Sequence, residues 1–201
     1  MDSYHFAEVA APQGAPLLFL FHGTGGDETG LIGLGSEVLP GAHLIAPRGD
    51  VSEHGALRFF RRTGEGVYDM ADFARATETM TAFLRAQIER VRPSSVAALG
   101  YSNGANILAA VLFTAPELVA KSVLMHPLIP FEPAPQTGLA GRDVLITAGR
   151  RDPIAPAAGS ERLSAYFAAQ GARSRVVWHE GGHELRREEL LAARDLLAPE
   201  S

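Results

Sequence analysis

The chain has 201 residues, 46% of them apolar and 20% charged, enough for a single domain over residues 1–201 with a sizeable core. Its 18 basic against 23 acidic residues give a net charge of -5, with no Lys or Arg cluster longer than a pair, which argues against nucleic acid as a partner. With no cysteine, disulfides, thiolate metal sites and a cysteine nucleophile are excluded.

In chain order, Met1 to Gly14 lacks a basic region followed by an apolar core, and no apolar run is long enough for a bilayer. The expectation is a cytoplasmic protein without a membrane span. Leu17 to Phe21 is a continuous apolar run of buried-strand length. It leads into His22-Gly23-Thr24-Gly25-Gly26-Asp27, a glycine-rich turn whose backbone N–H groups are free to face a developing oxyanion. The Thr24 amide is the first candidate donor, with His22 buttressing the turn. A phosphate-binding loop does not fit, because neither the GxGxxG spacing nor a following Gly-Lys-Ser/Thr is present.

His43 to Ala46 reads as the next strand. Arg48 to Tyr68 has no clear period, and within it Phe59 and Phe60 are expected to form a pocket wall. Met70, Phe73, Thr77, Met80, Leu84, Ile88 and Val91 recur three or four apart, which predicts an amphipathic helix capped by Asp69 and ended by Pro93.

Val96 to Leu99 predicts a strand that runs into Gly100-Tyr101-Ser102-Asn103-Gly104. A serine at the tip of a sharp strand-to-helix turn needs small residues two positions either side, and the two glycines meet that need. The segment reads as a nucleophile elbow, with Ser102 as nucleophile and the Asn103 amide as second oxyanion donor. Ser122 to Met125 predicts a strand ending at His126, a residue read as packing beside the site. The Pro-rich stretch from Pro127 to Gly141 is too short for a helical lid, so the site should be open, with Leu128 on its floor.

Val144 to Thr147 predicts a strand followed by Gly149-Arg150-Arg151-Asp152-Pro153. Asp152 therefore lies past the strand's carboxyl end, where open α/β sheets bind ligands, while Asp143 precedes the strand and belongs to the opposite edge. Ser160 to Gln170 predicts a helix ended by Gly171, Arg175 to Trp178 a strand, and Glu184 to Leu197 a last helix. Between the last two, Gly181-Gly182 lets the loop fold His183 back toward the elbow. Strands alternating with helices predict a three-layer α/β/α fold with a mostly parallel sheet.

His179-Glu180-Gly181-Gly182-His183 also matches the HExxH zinc signature. That signature requires both histidines on one helical face, and two consecutive glycines after an apolar β run disfavour a helix by about 2 kcal/mol. No metal is expected.

Four motifs together carry a resemblance. Phe21-His22-Gly23-Thr24-Gly25-Gly26-Asp27-Glu28, Gly100-Tyr101-Ser102-Asn103-Gly104-Ala105-Asn106, Gly149-Arg150-Arg151-Asp152-Pro153 and Gly181-Gly182-His183 span nearly the whole chain. With them the chain resembles the α/β-hydrolase fold and, within it, the phospholipase/carboxylesterase family, above all bacterial carboxylesterases associated with tolerance of hydroquinones. The resemblance implies Ser102 as nucleophile, Asp152 as orienting acid, His183 as base, and Thr24 and Asn103 as oxyanion donors. It implies a serine carboxylesterase without a cofactor, with a small soluble ester as partner and a homodimer as an allowed assembly. Dienelactone hydrolases are similar to a lesser degree, because their nucleophile is a cysteine. The alternatives are an acyl-thioesterase or lysophospholipase-like hydrolase, although Asn103 stands where the thioesterase branch usually has Gln, and a non-enzymatic ligand receptor on the same fold.

Overall fold

Short apolar runs bounded by glycine and polar residues form strands when both their faces can be covered, and that is how this chain is built. The computed structural model describes residues 4–198; the ends of the expected 1–201 domain, and the first residues of the Met1 to Gly14 segment, lie outside the described residues. A seven-stranded sheet is ordered β1 (Phe6–Val9), β3 (His43–Pro47), β2 (Leu17–Phe21), β8 (Val96–Tyr101), β9 (Lys121–Met125), β10 (Asp143–Gly149) and β11 (Arg173–His179). Only β1 runs antiparallel, pairing with β3 at one edge. The other pairs are parallel, in registers such as Phe21 opposite Gly100 and Gly149 opposite His179.

Alternation along β2 divides the core in two. Leu17, Phe19 and Phe21 point to the face covered by α2 (Met70–Val91), α3 (Asn103–Thr114) and α4 (Ala157–Ala169), while Leu18 and Leu20 point to α1 (Ile32–Val38) and α5 (Arg187–Leu197). All five residues are fully or almost fully buried, and burial of such side chains stabilises by roughly 1.5–3 kcal/mol each.

The helix expected from Met70 has the bounds its caps dictate. The Asp69 carboxylate accepts the Asp72 N–H at 3.1 Å, and Arg92 closes the helix in the left-handed region (φ 52°) just before Pro93. The segment 48–68, which has no period of its own, forms two small antiparallel hairpins, β4 (Val51–Glu53) with β5 (Ala56–Arg58) and β6 (Arg62–Gly64) with β7 (Val67–Tyr68). Pro127 to Gly141 contains only a turn of 3-10 helix at Thr137–Leu139 and inserts no lid. The first segment and the start of the second lie at the carboxyl edge of the parallel strands, while the second runs on to the amino edge, where Gly141 N–H donates to Gly171 O at 3.0 Å. Among the described residues no helix is long and apolar enough to cross a membrane.

Candidate active site

The chain turns sharply from β8 into α3, and Ser102 sits at the turn with φ 53° and ψ -116°, a strained conformation for a side-chain-bearing residue. Hydrogen bonds hold it there: Ser102 N–H donates to Met125 O at 2.8 Å and Asn106 N–H to Ser102 O at 3.0 Å. The flanking glycines are required by contact. A Cβ on Gly100 would lie 2.5 Å from Gly104 O, and one on Gly104 would overlap the Phe21 carbonyl.

Two further loops converge on this turn. After β10, Asp152 is buried, and its Oδ1 accepts the N–H groups of Ile154 at 2.8 Å and Ala155 at 2.9 Å. After β11, the chain passes so close to β10 that a Cβ on Gly149 would overlap the Gly182 carbonyl. This close approach returns His183 to the elbow, where Tyr101 OH donates to His183 O at 2.7 Å. His183 Nε2 is 2.9 Å from Ser102 Oγ, and its Nδ1 is 2.7 Å from Asp152 Oδ2. Burial works against the charged form of Asp152, but the Ala155 N–H and the imidazoles of His126 and His183 outweigh it and lower its pKa. The group that would orient the base is thus an ionised acceptor at neutral pH.

On the other side of Ser102, the turn after β2 is fixed by His22. His22 Nε2 accepts the Gly49 N–H at 2.9 Å, so its proton is on Nδ1, which donates to Gly23 O at 2.7 Å. Burial lowers the pKa of this ring and keeps it neutral. Among the described residues neither the Thr24 nor the Asn103 amide donates to a backbone carbonyl. Their side chains are engaged elsewhere: Thr24 Oγ1 accepts from Arg58 at 2.7 Å and Asn103 Oδ1 from the Phe59 N–H at 2.8 Å.

A cavity of about 320 Å³ opens over Ser102 and His183, with Thr24, Tyr68, Leu128 and Ile154 among its walls. Arg58 and Arg62 also face it, both close to the Glu53 carboxylate. Leu128 lines this cavity. Phe59 and Phe60 do not, and this corrects the sequence reading. Both are fully buried, Phe59 packed on His22 and Phe21, and Phe60 on Tyr68 and Phe73. In the bend after β5 the two rings point into the aromatic core, and the polar side chains of Arg58 and Arg62 are left to border the cavity.

Asp143 lies at the start of β10 and is bound by Arg173 at 2.6 and 2.7 Å, across the sheet from the cavity. The HExxH reading fails on geometry. His179 ends a strand and His183 lies in a loop, with no helix to present both. Their Nε2 atoms face different partners, Glu189 and Ser102. His126 and His179 do approach Glu189 closely enough for ligand atoms of one ion. However, His179 Nδ1 accepts the Gly181 N–H at 3.0 Å, so Nε2 carries the proton and offers no lone pair. Sequence reasoning did not single out Glu189 or Tyr101, since neither lies in a role-bearing position of the four motifs.

The family model of the dienelactone hydrolase family matches residues 57–189. That span includes Ser102, Asp152 and His183 and begins after Thr24. The chain is 40% identical over 181 residues to the protein named "Putative hydrolase MhqD" of Bacillus subtilis (strain 168), covering 89% of this chain and 90% of the relative. Among solved structures, a protein of unknown function from Agrobacterium tumefaciens str. C58, Atu2452, is 52% identical with a TM-score of 0.91, over 96% of this chain and 95% of the other. A carboxylesterase of Bacillus cereus is 35% identical with a TM-score of 0.87, over 94% and 91%. The matching family is the one whose cysteine nucleophile set it second on sequence. What carries over is the fold and the hydrolase class; the nucleophile has to be argued from this chain's own residues.

Proposed function

Since this chain belongs to the dienelactone hydrolase family and is a hydrolase of the dienelactone hydrolase and carboxylesterase type, we propose that it is a serine carboxylesterase of small, soluble esters. The observation that carries this reading is the line from Ser102 Oγ to His183 Nε2 to Asp152 Oδ2, at 2.9 and 2.7 Å, on the wall of the cavity. An isolated serine hydroxyl is a poor nucleophile near neutral pH, and a histidine within hydrogen-bond reach removes that obstacle.

Ser102 Oγ attacks the ester carbonyl carbon as its proton passes to His183 Nε2. The developing oxyanion is held by the amides of Thr24 and Asn103, and Asp152 holds the imidazole in orientation and compensates its charge. Collapse expels the alcohol, which takes the proton from His183 and leaves an acyl-Ser102. Water, deprotonated by His183, then attacks the acyl carbon, and the acid leaves as Ser102 regains its proton. No step draws on a metal or cofactor.

A lidless cavity of about 320 Å³ encloses a short acyl group but not a long one. We expect hydrolysis of aryl esters with acyl chains of about two to four carbons to exceed that of chains of about twelve. A graded acyl series measures this. A maximum at the long end would favour the lysophospholipase or acyl-thioesterase alternative, and the absence of turnover with every ester and thioester would favour the ligand receptor.

A further inference from the structure

His126 is wholly buried at the carboxyl end of β9, in a left-handed backbone conformation (φ 52°). Its own N–H donates to Thr147 O at 2.8 Å, which fixes the strained turn. The ring is thereby set between two carboxylates. His126 Nδ1 is 2.8 Å from Asp152 Oδ2, the oxygen that His183 also reaches, and His126 Nε2 is 3.0 Å from Glu189 Oε1.

Glu189 lies in the first turn of α5 and is 0% exposed. Its Oε1 accepts the Thr147 hydroxyl at 2.5 Å and its Oε2 the Arg186 N–H at 2.6 Å. The protonated Nε2 of His179 is 3.4 Å from the same Oε2. These neighbours are all donors, so Glu189 accepts as a carboxylate. Two buried carboxylates this close repel unless a cation stands between them, and an imidazole that donates from both nitrogens is an imidazolium.

We infer that His126 is a buried imidazolium bridging Asp152 and Glu189, a positioning residue that extends the array from Ser102 through His183 and Asp152 to Glu189 and sets the pH range in which His183 works as a base. Burial opposes the charged form of His126, but its hydrogen bonds to Glu189 and Asp152 outweigh this and raise its pKa. Burial likewise opposes ionisation of Glu189, and the bonds from His126 and Thr147 reverse the balance and lower its pKa. The groups facing the ring are Asp152 from the loop after β10, Glu189 from α5, His179 from β11, His183 from the following loop, and Tyr101 from β8, its ring 5.9 Å away. Tyr101 is neutral at these pH values, since burial raises its pKa above the ordinary tyrosine value. Asp152, its charge partly answered by His126, holds the His183 ring in orientation through Oδ2.

The kinetic half of this inference rests on the serine esterase reading; the charge of the ring does not. Nitrogen-15 NMR of the wild-type protein labelled in histidine, with His126 assigned by comparison with His126→Gln, reads that charge without substrate. Both His126 ring nitrogens should be protonated from about pH 5 to 7, with the ring titrating above the ordinary histidine value. A neutral ring, or one that titrates in this window, overturns the inference. In the kinetic arm, His126→Gln and Glu189→Gln should each move the acid limb of kcat/KM upward by about one pH unit, a roughly tenfold loss at the acid end relative to the plateau. A uniform loss with an unmoved limb would reduce both residues to a purely structural role. If wild type hydrolyses no ester, the esterase reading falls while the NMR result still decides the charge of His126.

Discussion

Strand β10 carries an aspartate near each of its ends, and the two have opposite fates. Asp143, at the amino end, is itself 16% exposed and pairs, away from the cavity, with Arg173, a side chain 64% exposed. Asp152, just past the carboxyl end, is buried, with two histidines on one oxygen and two backbone amides on the other. Both carboxyls are held below their ordinary pKa, Asp143 chiefly by its hydrogen bond to Arg173, Asp152 against burial by a set of donors. A lowered carboxyl pKa therefore does not mark an active site. What distinguishes the two is position in the parallel sheet, because the carboxyl edge is where the loops of β2, β8, β10 and β11 meet.

The largest effect expected from this contrast is kinetic. Asp152→Asn should lower kcat by roughly 10⁴-fold, since an amide cannot hold the His183 tautomer and charge as a carboxylate does. Asp143→Asn should stay within about twofold. Steady-state rates of the two variants on one short-chain aryl ester make the comparison, and the reverse ranking would break it.

A smaller effect tests how the carboxyl edge is held together. Tyr101→Phe removes the hydrogen bond to His183 O and should lower stability by about 1 kcal/mol. It should also slow turnover by about five- to tenfold as the loop loosens. Urea melts and kinetics read both, and unchanged values would mean that the Gly149 to Gly182 approach alone fixes the loop.

The pH dependence of stability has a sign that follows from the shifts. Asp152 and Glu189 have folded pKa values below their unfolded ones, so their contribution is present above about pH 4 and is lost as pH falls through the folded values. His126 is raised in the fold, so its contribution is complete below about pH 6.5 and is lost as pH rises through the raised value. Melting temperature followed from acid to alkaline pH should form a plateau between these limits, and Glu189→Gln should lower the plateau and shrink the loss on both sides of it. The smallest effect is at the exposed pair. Asp143→Asn should change stability by less than about 1 kcal/mol, and by less still in high salt.

The parallel strands were legible because each carries a short apolar run, which the sheet buries on both faces in all but the edge strand β11. The helix from Met70 to Val91 was legible because its cap and its stop are written beside it. Other elements left weaker traces. β1 is four residues with two exposed side chains at the sheet edge, too short to show a period. α1 holds two glycines in seven residues, and Leu31 at its N-cap makes no side-chain capping bond. The hairpins between Val51 and Tyr68 depend on tertiary bonds, such as Asn103 Oδ1 to the Phe59 N–H. α5 begins at Arg187 rather than Glu184, because Glu184 accepts the Gly182 N–H and Arg186 N–H donates to Glu189, which places the residues between them outside the helix.

At the site, glycine spacing marks the turns that bring Ser102, Asp152 and His183 together, which is why those residues could be named. Phe59 and Phe60 were misplaced because a pair of aromatics in an aperiodic segment does not say which way it faces. The pair of His126 and Glu189 is 63 positions apart in the chain and belongs to no local pattern. A histidine closing an apolar strand was the one signal available, and only the fold says what it meets.

The central claim is that Ser102 is the nucleophile of this hydrolase. An aryl phosphonate, which forms a stable bond to an activated serine oxygen, tests it most directly when esterase loss and the labelled peptide are followed together. One phosphonyl group per chain is expected, mapped by peptide mass spectrometry to Ser102 and formed in step with loss of activity, with neither label nor hydrolysis in a folded Ser102→Ala. A label on another residue, or esterase activity surviving in that variant, would contradict it.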